Sequence, residues 1–520
     1  MKQIVIIGGG ASGTIALIQS IRTLSNKAYI SVIETSEILG QGLAYSTRED
    51  CHLLNVPVGK MSVFPDHPNH FKDWLNSRNS SLDAFESHSF VPRKFFAEYL
   101  ASLVANLPQE RYRHIKSRVQ AVSRFTSLWE IELDNHTKIY ADAVILATGY
   151  AAQTKLPFLL NFPLETNAKI FQSHEFEKIS ALNSNETILI LGTGLSAVDV
   201  ILQLKQKGHT RFHCISKHGH FPHPHLEVGH HQVVHLPQLH GYSPLQILRL
   251  IRSFERNQNH ELLDVIHAVR LQAKKIWACW TKSEKKSFLT HLQSYWEKVR
   301  HRVPRSVFAE IQSDLSSGKI RVTAGKISSV SPGPLGLQVH FRKRGLVTSE
   351  TEPCSVLILA NGAKINQSIK IRFQGKSVTT CAFGFGFRNT PSDLWVIGPP
   401  AKTVLWEITS IPDISVQVEQ VVQEIALHLE GRAQSSLFTD HPRQADETYF
   451  EHFWAASQFG AILVKGALVA VIHGIFPFLL SEYLSDELRT CSRKLTYRRL
   501  IKSNRAQKIK RNSKAIQKAA

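Results

Sequence analysis

The sequence predicts an α/β protein with two parallel-sheet units, a helical insertion and a hydrophobic C-terminal helical segment. Three observations predict it. Two apolar strands, around Ile4–Ile7 and around Ile188–Leu191, each break into glycines and then into an amphipathic helix. Two further apolar strands end in A-T-G at 147–149 and A-N-G at 360–362. Residues 243–317 change to a helical period of apolar residues. The strand–glycine loop–helix units are Rossmann-like dinucleotide-binding folds.

Composition sets the outer limits. A chain of 520 residues has room for two or three domains and a well-buried core, and 43% apolar with 20% charged residues fits a globular protein. The six cysteines, at 51, 214, 279, 354, 381 and 491, contain no C-x-x-C. That argues for a reducing compartment and against both a disulfide framework and a dithiol reductase. The chain runs directly into a strand, so no secretory leader is expected and a cytoplasmic location is. The net charge is +20, but twelve Lys/Arg and no acid lie from Arg489 onward. The basicity therefore belongs mostly to a tail, and it points to an anionic surface at that end.

The first unit is the most explicit. Gly8, Gly10 and Gly13 have the spacing G-x-G-x-x-G. Gly8 permits the tight turn off the strand, Gly10 lets backbone approach a pyrophosphate, and Gly13 lets helix pack on strand. The following helix, Thr14 to Arg22, aims free N–H groups at phosphate, with Ala11 and Ser12 in the loop before it. AYISVIE reads as the second strand, and Glu34 stands 21 residues after Gly13, where a carboxylate accepts from a ribose hydroxyl. Gly42, Thr148 and Gly149 complete the expected first cofactor set, with Gly398 returning to it from the last strand, Leu394 to Ile397. The A-T-G ending follows a β-meander and favours FAD at this site. A helix is expected to begin near Val416.

From Asn55 to Asp66 the spacing N-x-P-x-x-x-M-x-x-F-P-D resembles the segment after the first nucleotide fold in flavin-containing monooxygenases. There the Asn lies beside the flavin ring, which makes Asn55 the candidate catalytic residue. GLAYS, HLLNVP and MSVFPDHPNHFKDWL resemble more closely a family of largely uncharacterised bacterial FAD/NAD(P)-binding proteins, over most of residues 1–430. I-G-P, W-E-I-T and P-D-I between 397 and 414 share that resemblance. The chain departs from it at Ser415, where a basic residue usually follows, and at Ala401-Lys402-Thr403. An Asn before Pro57 also suits a capped turn.

The second unit reads Gly192-x-Gly194-x-x-Ala197, with Ser196 in the helix start. Its next strand ends in Ser216 and Lys217 rather than an acid, which suits the 2′-phosphate of NADPH. Eight histidines then fall between His218 and His240, among three prolines. No fixed ligand spacing accompanies them, so no metal site is expected and the segment reads as a polar loop over the cofactor cleft. The helical insertion follows, with Trp277, Trp280 and Trp296 for packing. Arg300 and Arg302 are candidates for an anionic substrate or the NADPH phosphate, or are surface arginines.

The expected boundaries are 1–185 for the first part of the FAD domain, 186–355 for the NAD(P) domain with its insertion at 243–317, 356–430 for the second FAD part, and 436–520 for a C-terminal membrane-associated domain. His441, Pro442, Glu447, Thr448, Tyr449, His452 and the block His473–Phe478 resemble a small bacterial domain of unknown function. Phe459 to Leu480 is 22 residues of mostly apolar composition, long enough to span a bilayer. Lys465, His473 and Pro477 interrupt it, and the tail belongs on the cytosolic side with the nucleotide domains. An interfacial or re-entrant helical pair resting on anionic lipid at the inner membrane's cytoplasmic face meets both constraints. A buried hairpin is the soluble alternative.

FAD and NADPH on one chain imply hydride transfer from nicotinamide to flavin. The resemblance implies a monooxygenase-like enzyme acting on a small molecule, with reduced flavin reacting with O₂. A full Baeyer–Villiger fingerprint is absent; IFQSHEF, with Phe171 and His174, is a shortened echo. A membrane-associated dehydrogenase reducing quinone and a non-catalytic flavin-binding scaffold are the alternatives. Nucleic acid is not an expected partner, and neither substrate nor oligomeric state is legible.

Overall fold

The computed structural model describes residues 1–78, 84–125, 127–151, 156–160, 162, 168–226, 233–257, 261–362, 364–366, 369–373, 376–378 and 393–430, with 467–469 and 475. The chain forms two compact units. The first comprises 1–231 and 293–429, and the second 232–292 with 430–520.

Within the first unit, one five-stranded parallel sheet has the order Leu394–Val396, Ala143–Leu146, Lys2–Ile7, Ala28–Glu34, Tyr112–Lys116. Ile4, Val5 and Ile6 are fully buried, as expected of a strand covered on both faces. The helix Ala11–Leu24 packs on it beside the helix Ile411–Leu429. That last helix begins at Ile411 rather than near Val416. Pro412 sits in its first turn, where the missing N–H has no intrahelical acceptor to lose. The expected meander is present as Val119–Phe125, Leu128–Leu133 and Lys138–Ala141, antiparallel.

A seven-stranded sheet forms the second half of this unit. Its order is Ser349–Cys354, Gly336–Lys343, Ile320–Gly333, Phe212–Ser216, Ile188–Leu191, Val356–Leu359, Lys169–Gln172. The strands Val356–Leu359 and Lys169–Gln172 lie outside the 186–355 span read from sequence. The physical reason is that the A-N-G strand is the inner neighbour of the second glycine-loop strand, as the A-T-G strand is of the first. Two short strands, Tyr150–Ala151 and Lys364–Ile365, pair antiparallel where the chain leaves and re-enters the first half.

The described helices of the other unit are Pro244–Asn257, Leu262–Leu271, Ala273–Cys279 and Lys282–His291, preceded by an irregular segment at 233–243. Its core includes Trp277, Trp280 and Phe288, with the Trp280 and Phe288 rings 5.3 Å apart. Thr281 and Glu284 form a reciprocal capping box at the start of the last of these helices. The expected apolar segment 459–480, the basic tail and the other C-terminal motif residues lie outside the described residues, apart from 467–469 and 475. Among the described residues, no helix is long and apolar enough to cross a membrane.

Candidate functional site

The first glycine loop is built by exclusion of side chains. Gly8 has φ +102°, and a Cβ there would run into the Ala147 carbonyl oxygen. A Cβ on Gly13 would run into the Gly8 carbonyl, so the helix lies directly against the turn. Gly10 faces Gly42, with 3.5 Å between a Cβ on Gly10 and the Gly42 Cα. Gly398, at φ +67°, approaches Ser12, and its N–H donates to Gln417 Oε1 at 2.8 Å. Thr148 Oγ1 donates to the Asn366 carbonyl at 3.4 Å, and Gly149 accepts from Asn366 N–H at 3.1 Å. The sequence-predicted residues 8–13, 42, 147–149 and 398 are thereby brought together around one loop.

Glu34 is also there, with its carboxylate already in use. Oε2 accepts from Gly9 N–H at 2.7 Å, and Oε1 accepts from Thr35 N–H at 2.7 Å and Ser36 N–H at 3.2 Å. Thr35 Oγ1–H also donates to Oε1, at 3.0 Å; these bonds fix the carboxylate against the loop and leave Oε2, with one donor, to accept from a ribose hydroxyl. A loop with no side chain in the cradle, at a helix N-terminus, with a fixed carboxylate beyond it, fits a dinucleotide.

The second loop repeats the arrangement. Gly8 N–H donates to Ile33 O at 2.9 Å and Ala147 N–H to Ile7 O at 2.8 Å; Gly192 N–H donates to Ile215 O at 2.8 Å and Ala360 N–H to Leu191 O at 2.9 Å. A Cβ on Gly192 would strike the Ala360 carbonyl as one on Gly8 strikes that of Ala147. Gly194 has nothing within 4 Å of a Cβ, so its surface is open to a ligand. Ala197 is fully buried at the helix–strand contact, and Ser196 is half-buried.

Ser216 departs from its expected role. Its Oγ accepts from Gly219 N–H at 3.0 Å and lies 2.9 Å from Thr193 Oγ1, whose own proton goes to the His220 carbonyl at 2.7 Å. Ser216 therefore donates its single proton to Thr193 and has none for a phosphate. Lys217 is exposed.

Asn55 borders a small cavity of about 20 Å³, which Cys51, Arg93, Leu195 and Asp199 also line. Its backbone carbonyl accepts from His225 Nε2–H at 3.0 Å. Burial pushes the His225 imidazole down to about 4, so it is neutral near pH 7. Arg93 and Asp199 form an ion pair at 2.7 Å across this cavity, joining the helix Arg93–Ala105 to the second glycine-loop helix Leu195–Gln206. His52 is buried beside it, with Nε2 donating to the Asp199 carbonyl at 3.1 Å and Nδ1 2.6 Å from Thr47 Oγ1.

A further cluster was not legible as a site. Trp406 has φ +55° and is the centre of a tight γ-turn closed by Glu407 N–H to Leu405 O at 2.7 Å, a strained form for a bulky residue. Glu407 holds the turn: its Oε1 accepts from Trp296 Nε1–H at 2.8 Å and its Oε2 from Arg300 Nε–H at 2.6 Å. Arg300 is thus engaged internally, with Asp413 at 3.5 Å as a second partner, and is not an anion site. Lys402, four residues after Gly398, pairs with Glu297 at 3.0 Å. Burial is the largest single influence and opposes both charges, but the partner's charge, the hydrogen bond between them and the neighbouring groups together outweigh it, so Lys402 is raised and Glu297 lowered. Tyr150, raised by burial, and His301, pushed by burial down to about 4, complete the group. Tyr150 lies in the segment leaving the first half, so four chain segments converge there. The only sequence signals were W-E-I-T and the departure at Lys402. Ser415, the other departure, is buried and donates to the Ser62 carbonyl at 3.2 Å.

Comparison with known proteins places this geometry. Residues 5–151 match a family described as FAD-NAD(P)-binding. Residues 435–499 match a family of unknown function, DUF6356. No curated protein matches the chain. Among solved structures, the FAD-bound cadaverine monooxygenase DfoA of Erwinia amylovora is similar with a TM-score of 0.56 at 11% identity, over 84% of this chain and 97% of that one. The ornithine N-hydroxylase KtzI of Kutzneria sp. 744, with reduced FAD, NADP⁺ and L-ornithine, gives 0.54 at 12% identity, over 84% and 100%. The reduced ornithine hydroxylase PvdA of Pseudomonas aeruginosa gives 0.54 at 12%, over 82% and 100%. At these identities the likeness is one of fold.

Proposed function

We propose that this chain is an FAD- and NADPH-dependent oxidoreductase of the flavin monooxygenase type, acting on a small molecule. The observation that carries the reading is the duplicated loop. Gly8 against Ala147 and Gly192 against Ala360 make two dinucleotide cradles with the same two backbone hydrogen bonds in each. The chemistry FAD supplies when bound is transfer of nicotinamide-derived electrons to O₂, with one oxygen atom going to substrate and the other to water. The fold shared with amine hydroxylases that carry FAD supports O₂ as acceptor.

This chain's own residues bind and orient. The first loop, the helix at Ala11 and Glu34 hold the FAD pyrophosphate and ribose; the second loop and the helix at Leu195 hold NADPH. Asn55, on the cavity beside the second loop helix, offers a donor and an acceptor to the polar edge of the flavin. The Lys402–Glu297 pair, with Tyr150, places fixed opposite charges and a phenolic hydroxyl at the segment joining the two halves. The C-terminal apolar stretch and basic tail support docking on an anionic membrane surface.

The test is anaerobic stopped-flow spectroscopy of the purified chain supplied with FAD. NADPH should bleach the flavin, and admitted O₂ should restore its colour. A chain that stays colourless with FAD, or that NADPH leaves oxidised, defeats the reading.

A further inference from the structure

The strand Phe212–Ser216 ends where a second nucleotide-binding sheet reads the adenosine ribose. The hydroxyl of Ser216 is closed into the loop, so the groups that meet a 2′-phosphate must come from elsewhere. One arrives from a distant hairpin. Ser216 pairs in register with Ala324, and the Ala324 carbonyl accepts from Arg344 N–H at 2.8 Å. The turn after Gly336–Lys343 is thereby pinned beside the end of the strand. Gly219 packs on the same residue, with a Cβ there 3.3 Å from the Ala324 Cβ.

The Arg344 guanidinium is then aimed by a histidine. Nη1 donates to His218 Nδ1 at 3.0 Å. Burial and the neighbouring Arg344 and Lys217 charges lower the His218 pKa, so the ring is neutral and accepts rather than repels. The His218 ring is parallel to that of His220, within 4°, and 5.4 Å from that of Tyr295. Both Arg344 and Lys217 are exposed, and among the described residues neither makes an ion pair. A guanidinium with one of its five N–H groups used retains the fork that matches phosphate.

We infer that Arg344, oriented by His218 and assisted by Lys217, is the group that binds the 2′-phosphate of NADPH and so selects it over NADH. The assignment rests on the oxidoreductase reading for the identity of the nucleotide. Arg344 supplies bidentate donors, Lys217 a second positive charge, and Ser216 only the shape of the loop.

The test is calorimetric titration of the full chain, loaded with FAD, with NADP⁺ and with NAD⁺. Oxidised nucleotides bind without turnover, so the result does not depend on hydride transfer. The wild-type chain should prefer NADP⁺ by about tenfold or more. R344Q should lower that preference roughly ten- to a hundredfold, and R344K should restore part of it. H218A should lower it less than R344Q, because it loosens the guanidinium without removing it. K217Q alters an exposed side chain and should also lower it, which keeps the test decisive if R344Q does not fold. A wild-type chain without the preference, one that binds neither nucleotide, or an R344Q chain that weakens both nucleotides equally, overturns the assignment. If NADP⁺ binds through Arg344 as described but NADPH fails to bleach the flavin, the redox reading fails and this one stands.

Discussion

Arg93 Nη2 lies 2.8 and 2.7 Å from the two carboxylate oxygens of Asp199, and both side chains are largely buried. The pair fastens the helix after the first nucleotide fold to the helix that opens the second. Its loss should act on the relation of the two cradles, not only on local packing. Removing one member leaves a buried charge without its partner, which costs about 3–5 kcal/mol. R93Q should therefore lower the unfolding free energy by that amount in chemical denaturation, and R93Q/D199N should recover part of it. Additive losses in the double variant would show that the two charges do not couple.

The two glycine types in the second loop should separate folding from binding. A side chain on Gly192 meets the Ala360 carbonyl at an unfavourable φ of +126°, so G192A should destabilise the fold. Gly194 has open space where its Cβ would go. G194A should leave the melting temperature nearly unchanged while weakening NADPH about tenfold by crowding the pyrophosphate. Comparable loss of stability in both variants would contradict this division.

Three imidazoles, His213, His225 and His301, are pushed by burial down to about 4. Their folded values lie below the value of about 6.5 in an unfolded chain. The unfolded state then binds more protons below that pH. The stability associated with the neutral rings is fully present above about 6.5 and is lost as pH falls toward 4, by up to about 3 kcal/mol for each ring. Thermal unfolding between pH 7.5 and pH 4.5 should show this decline, and H225Q should make it shallower. A stability that is flat over that window would rule the buried neutral rings out.

Lys402 holds the Glu297 carboxyl below its ordinary range despite burial. In K402M burial is opposed mainly by the Gln293 hydrogen bond, and the carboxyl should rise. If the pair works beside the flavin, the acid limb of NADPH-driven flavin reduction should move up by about one pH unit or more in K402M, and E297Q should remove the limb. Profiles superimposable on wild type would place the pair outside the chemistry.

Trp406 tests the strained turn. Its φ of +55° is held by the Glu407 carboxylate between Trp296 and Arg300. E407Q keeps the size of the side chain but removes the charge that Arg300 faces. It should destabilise the protein by about 2–4 kcal/mol and shift the tryptophan emission, since Trp296 and Trp406 rings lie 4.8 Å apart. Unchanged emission would show that the turn does not depend on that carboxylate.

What the sequence alone determined was the pair of glycine loops and the strands that flank them. Those features are legible because backbone sterics act within a few residues: Gly8 and Gly192 answer a local turn, and the spacing to Gly13 or Ala197 answers one helix packing on one strand. The carboxylate at Glu34 follows from the length of one strand–helix–strand unit. Only the tertiary structure decided which polar groups are free to meet a ligand. Ser216 reads as a phosphate donor until Thr193 and Gly219 are found on its hydroxyl, and Arg300 reads as an anion site until Glu407 is found on its guanidinium. Arg344 reaches the end of the Phe212–Ser216 strand, 128 positions from Ser216, only because Ala324 pairs with one and bonds to the other. Hydrogen bonds between segments that far apart leave no spacing to read. The sequence thus determined where the cradles are, and the fold decided which side chains face into them.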